Sequence, residues 1–115
     1  MPLLHLSTSA EIAPDKRLGL SQALSRTVAK VIGKPEQYVM VIVAQAQMLM
    51  SGSDAPSAFV DLRSIGGLGP KTNRELAQKI SGLLGETLAL PPDRVYLNFT
   101  DFAAAYWGYD GSTFG

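Results

Sequence analysis

The chain of 115 residues contains no cysteine. That absence excludes a disulfide framework, a thiolate nucleophile and a cysteine-ligated zinc site. There is one histidine, His5, so a multi-histidine metal centre and a paired-histidine proton relay are also excluded. Charge of one sign is lacking too. Ten Lys and Arg balance ten Asp and Glu, so there is no broad electrostatic case for nucleic acid or an anionic membrane surface. No apolar run approaches the roughly 20 residues of a membrane span, and the first residues lack the basic and apolar regions of a signal peptide. The cytosol is therefore the expected compartment. Eleven glycines and seven prolines are scattered as punctuation. They mark no linker and no low-complexity segment, and the length suits one domain.

What the chain does contain is an internal repeat. Leu20, Leu24, Val28 and Ile32 stand at four-residue steps, and Leu76, Ile80, Leu84 and Leu88 repeat them at an offset of 56 residues. Each set is the apolar stripe of an amphipathic helix. At the same offset Leu4 and Leu6 map onto Val60 and Leu62. Apolar runs follow each helix, at Tyr38 to Val43 and at Val95 to Phe99. The order is strand, helix, strand, twice over, with halves of roughly 1–56 and 57–115. Pro14-Asp15 and Gly69-Pro70 are expected to open the two helices. Gly33 suits the left-handed position that closes the first, and Pro35 prevents its continuation.

Each half reads as a βαβ unit with parallel strands and a right-handed crossover. The predicted fold is α+β: two βαβ repeats forming a four-stranded mixed sheet with both helices on one face. The other face is then bare. Yet Val39 to Val43 is apolar at every position, the pattern of a strand buried on both sides. A domain this small cannot cover the second face itself, so association of several copies is expected. The aromatic tail from Phe102 to Phe114 is expected to dock on the body or on a neighbour.

Candidate chemistry begins with the second residue. Within a chain, Pro2 is a proline at the start of a strand, where its missing N–H costs no ladder bond. If Met1 is removed, Pro2 becomes a secondary amine and a candidate general base. The dipeptide alone leaves both readings open. Lys34 alone is a surface lysine at a helix C-terminus, where the helix dipole favours cations. Tyr96 and Asn98 share one face of a strand because side chains alternate. The stretch from Ser64 to Thr72 follows a strand and precedes a helix, but it fails the Walker and dinucleotide spacings. Nucleotide binding is not expected, and Ser64 has no second histidine-type partner for acyl transfer.

Pro2, Gly33-Lys34-Pro35 with Tyr38, Ser64-Ile65-Gly66, the run Pro92 to Asn98 and the final Ser112-Thr113-Phe114 occur in one order along the chain. In these motifs, over its full length, the sequence resembles the macrophage migration inhibitory factor family of the tautomerase superfamily. The resemblance implies a homotrimer whose sheets form a barrel, with cofactor-free, metal-free keto–enol tautomerase sites at the subunit interfaces. It implies an amino-terminal Pro2 as catalytic base and Lys34 as the residue that binds the carboxylate of a phenylpyruvate-like α-keto acid. A free α-amine ordinarily titrates at roughly 7.7 to 8.0; burial and a nearby cation both lower that value toward a useful base. The resemblance further implies Ser64, Ile65, Tyr38, Trp107, Tyr109 and Phe114 as substrate-binding residues, and Tyr96 and Asn98 as contributions from a neighbouring subunit.

Several residues depart from that pattern. Ser57-Ala58-Phe59-Val60 stands where animal members carry a C-x-x-C, which excludes thiol–disulfide oxidoreductase activity. Tyr109 stands where the family often has tryptophan, and Trp107 where a small aliphatic is common, which bears on substrate size. The loop from Ala10 to Asp15 has no arginine, and Ala44 to Gln47 no acidic residue. A trimer acting as a binding or signalling protein, with vestigial catalysis, is the alternative reading; these two departures lend it little support.

Overall fold

The computed structural model describes residues 1–115. The order is β1 (Leu3–Thr8), α1 (Arg17–Ile32), β2 (Met40–Gln45), β3 (Ala58–Ser64), α2 (Pro70–Leu88), β4 (Val95–Asp101), then the short strands β5 (Gly108–Tyr109) and β6 (Ser112–Thr113). The main sheet runs β2-β1-β3-β4, and β5 and β6 form a separate ribbon. β1 is parallel to β2, and β3 is parallel to β4, as the repeat predicts. The two halves join through an antiparallel β1–β3 pair, in which Leu4 faces Leu62 and Leu6 faces Val60. The α+β fold with a four-stranded mixed sheet is thus the observed one.

Alternation explains which face the helices cover. Leu4, Leu6, Val60 and Leu62 point one way and are fully buried. On them lie Leu20, Leu24 and Val28 of α1 and Leu76, Ile80 and Leu84 of α2, which together with the strands form one core cluster. Each such side chain contributes about 1.5–3 kcal/mol by leaving water. The fourth pair of the repeat, Ile32 and Leu88, is only half-buried, because it lies in the last turn of each helix.

The other face is bare. Register places three rows across it: Met40–Leu3–Arg63–Thr100, Ile42–His5–Asp61–Asn98 and Ala44–Ser7–Phe59–Tyr96. Met40 and Ile42 are exposed, whereas Val41 and Val43 turn to the core. The uninterrupted apolar run of β2 therefore has one face buried within the chain and one left uncovered. No helix is long and apolar enough to cross a membrane.

One local expectation needs correction. Pro14 does not open α1 directly: Pro14–Lys16 form a tight 3-10 turn that leads into the α-helix at Arg17. The tail, expected to dock on the body or on a neighbour, docks on the body. Its Phe102 N–H donates to the Ser64 carbonyl at 2.8 Å, a 3-10 turn covers Ala104–Tyr106, and β5–β6 fold back on it. The Phe102 and Trp107 rings meet edge to face at 5.6 Å, and Tyr109 stacks on Phe114 at 5.4 Å. The tail packs on its own subunit.

Candidate active site

The site is built where the helix–strand turn of the first half meets the strand–helix loop of the second. Gly33 takes a left-handed backbone, φ 79°, after α1, and the N–H groups of Gly33 and Lys34 both donate to the Ala29 carbonyl. This cap turns the chain back toward the start of β1. Lys34 Nζ donates to the carbonyl of Ile65. Gly67 makes the approach possible: its φ is +80°, and a Cβ there would lie 2.6 Å from Ile32 Cγ2. Asp101 steadies the same loop by accepting the Gly66 N–H at 2.6 Å.

Pro2 sits at the head of β1 and is fully buried. Its carbonyl accepts the Met40 N–H at 3.0 Å. The terminal amine, here on Met1, is lowered from 8.0 to about 6. Burial is the larger cause, since it disfavours the ammonium; the charge of Lys34 and its hydrogen bond act in the same direction.

A cavity of about 560 Å³ opens beside Pro2. Tyr38, Trp107, Tyr109 and Phe114 contribute walls. Tyr38 reaches it from the 3-10 turn Glu36–Tyr38 before β2, and Phe114 is tied by its N–H to the Trp107 carbonyl at 3.1 Å. Phe102 and Tyr106 of the aromatic tail line it too, as do Gln37 and Arg63, which carry no signal in the sequence. Arg63 is opposite Leu3 in the antiparallel register. The repeat predicts the parallel pairs within each half and says nothing of the pairing between halves, so nothing in the spacing places Arg63 beside Pro2.

Other expected residues are placed differently. Ser64 is buried on the helix side of β3, and its hydroxyl donates to the Gly66 carbonyl at 2.7 Å. That corrects the expectation of a substrate-facing Ser64: alternation along β3 turns it inward, where it fixes the loop. Ile65 is half-buried beside the site and offers its carbonyl to Lys34. Tyr96 and Asn98 are exposed on the bare face of β4, away from the cavity of their own chain. Tyr96 instead borders a separate depression with Met48, Leu49 and Phe59. There is no cluster of His, Cys, Asp or Glu side chains able to hold a metal ion.

The family model for macrophage migration inhibitory factor (MIF) matches residues 1–115. The chain belongs to the MIF family. It is 39% identical to macrophage migration inhibitory factor of Mus musculus over 115 residues, covering 99% of each chain. Against the homologue of Brugia malayi it is 45% identical over 92 residues, 79% of this chain and 80% of that one. Among solved structures, the MIF-like protein of Entamoeba histolytica superposes with a TM-score of 0.94 at 31% identity, covering 98% of both chains. The MIF homologue of Prochlorococcus marinus gives 0.93 at 36% identity, covering 98% of this chain and 99% of that one. The α+β fold with its four-stranded mixed sheet is thus a MIF fold.

Proposed function

We propose that the protein is a cofactor-free keto–enol tautomerase of phenylpyruvate-like α-keto acids, and that the nitrogen of Pro2, freed by removal of Met1, is its general base. The observation that carries this reading is the fully buried Pro2 next to a terminus where burial and the Lys34 cation already hold the Met1 amine at about 6. An amine depressed in this way is largely neutral at pH 7 and able to accept a proton. The reaction moves one proton from the carbon next to the ketone to the oxygen. The C–H bond breaks, its electron pair forms the enol double bond, and Pro2 carries the proton across. Nothing is oxidised or reduced. Lys34 has three N–H donors; one serves the Ile65 carbonyl and one the terminal amine, which leaves one for the substrate carboxylate. The rings of Tyr38, Trp107, Tyr109 and Phe114 exclude water around the substrate's apolar end.

Tyr96 and Asn98 enter this scheme from a neighbouring copy. A homotrimer that packs the bare faces into a barrel covers Met40 and Ile42 and brings the exposed β4 residues of one chain toward the cavity of the next. The test is phenylpyruvate tautomerisation by protein starting at Pro2, beside a Pro2→Gly variant. Loss of a positioned base is worth roughly 10²–10⁴-fold. A Pro2→Gly trimer as active as the parent removes Pro2 from the chemistry; a correctly assembled parent with no turnover favours the binding-protein reading.

A further inference from the structure

Arg63 is the only charged side chain that lines the cavity. The rest of the wall is aromatic, aliphatic or neutral polar. Both Nε and Nη2 of Arg63 donate to the same oxygen of Asp61, Oδ2, at 3.1 and 2.9 Å. Nη1 makes no bond within the chain, and in the single chain the side chain keeps 47% of its surface exposed. An ion pair as open as this contributes little to folding. It does hold the guanidinium in one place, with an edge left for a second anion. Guanidinium is also the side chain best matched to planar, bidentate carboxylate recognition.

Lys34 lies near the end of the same strand and acts on the terminal amine. It reaches Ile65, two residues beyond Arg63, which is about 7 Å of extended chain. Two cations thus lie near the amino terminus: Lys34, close enough to act on the terminal amine, and Arg63, in the cavity wall. A monocarboxylic α-keto acid uses one of them. We infer that Arg63 is a specificity-determining residue that binds a second carboxylate, so that the favoured substrates are α-keto dicarboxylates. This deepens the tautomerase reading and rests on it for the chemistry, with Lys34 holding the carboxylate beside the ketone and Arg63 the distal one. Asp61 holds Arg63 aimed at the cavity and competes with the ligand for its donors, which restrains affinity.

A matched pair of probes separates recognition from catalysis: 2-oxohexanedioate and 2-oxohexanoate, which differ only in the distal carboxylate. Trp107 is the only tryptophan and lines the cavity, so its fluorescence reports binding whether or not turnover follows. Proton–deuterium exchange at C3, read by NMR, reports the tautomerisation. The parent trimer is expected to bind the diacid at least tenfold more tightly than the monoacid. Arg63→Gln should bring that ratio to within about twofold of unity, Arg63→Lys should keep part of it, and Asp61→Asn should widen it. A preference for the diacid without C3 exchange upholds the recognition and overturns the tautomerase reading. A parent with equal affinities, or an Arg63→Gln variant that keeps the full ratio while retaining its circular dichroism, overturns the role of Arg63.

Discussion

The ammonium of Lys34 donates to the carbonyl of Ile65, thirty-one positions away in sequence, and so ties the first half of the repeat to the second at the mouth of the site. The same ammonium lies close enough to the amino terminus to lower its pKa, in addition to the effect of burial. Lys34→Glu should act on both. A carboxylate repels the substrate's own carboxylate, so KM for phenylpyruvate should rise at least tenfold. It also favours the ammonium form of the terminal amine, so that pKa should move up. Since the base works deprotonated, the rising limb of the pH–rate profile should shift to higher pH. A profile and KM identical to the parent's would return Lys34 to the role of a helix-dipole cap.

Gly66 and Gly67 form a matched comparison. Both have positive φ, +73° and +80°, but a Cβ at Gly66 meets nothing within 4 Å, whereas at Gly67 it would meet Ile32 Cγ2 at 2.6 Å. Gly66→Ala should cost about 1–2 kcal/mol, for the left-handed backbone alone. Gly67→Ala carries the same strain plus overpacking and should cost about 3 kcal/mol. Urea unfolding at neutral pH measures both. Gly67→Ala should also displace the aliphatic stem of Lys34, whose Cε is 3.6 Å from the built Cβ, and so raise KM.

The fate of the bare face is a question of mass. Ile42 is 38% exposed and sits in the middle row, beside His5 and two strands from Asp61. Sedimentation equilibrium at micromolar protein should give a trimer. Ile42→Asp places an unpaired carboxylate where packed sheets would exclude water, a change that costs several kcal/mol in a buried interface. The variant should sediment as a monomer with unchanged circular dichroism. A parent of monomeric mass would remove the shared site along with the barrel.

Much of this architecture is legible because it is periodic. The offset from Leu20 to Leu76 predicts two helices of one kind, and alternation at Leu4, Leu6, Val60 and Leu62 predicts which face they cover. Spacing does not encode contacts between the halves. Arg63 beside Leu3 follows from an antiparallel pairing that no repeat announces. Ser64 is misplaced for a related reason. Its position in the motif is right, but strand parity turns its hydroxyl to Gly66 instead of the cavity. Arg94 carries no signal either. It donates to the carbonyls of Met50, Ser53, Ala55 and Pro56 and clamps the long β2–β3 loop beside Tyr96, a role visible only once the chain has folded back on itself.

The first two residues carry the most direct test. In a Met1-Pro2 peptide bond the proline nitrogen is an amide and has no basicity to offer. With Met1 in place the amine at the site is that of Met1, lowered to about 6 by burial and by Lys34. Once Met1 is removed, the nitrogen of Pro2 becomes the terminal amine, and Pro2 is fully buried. Burial and the Lys34 charge are expected to lower its pKa in the same direction. Activity should therefore rise with pH through an inflection below the ordinary amine value of roughly 8 and should scale with the fraction of chains that begin at Pro2. Intact-mass spectrometry gives that fraction and phenylpyruvate turnover gives the activity, measured over preparations processed to different extents. A straight line through the origin ties the chemistry to the Pro2 nitrogen. Full activity in a preparation that is wholly Met1-capped would leave Pro2 with its structural part alone, the residue that starts β1 where no N–H is needed.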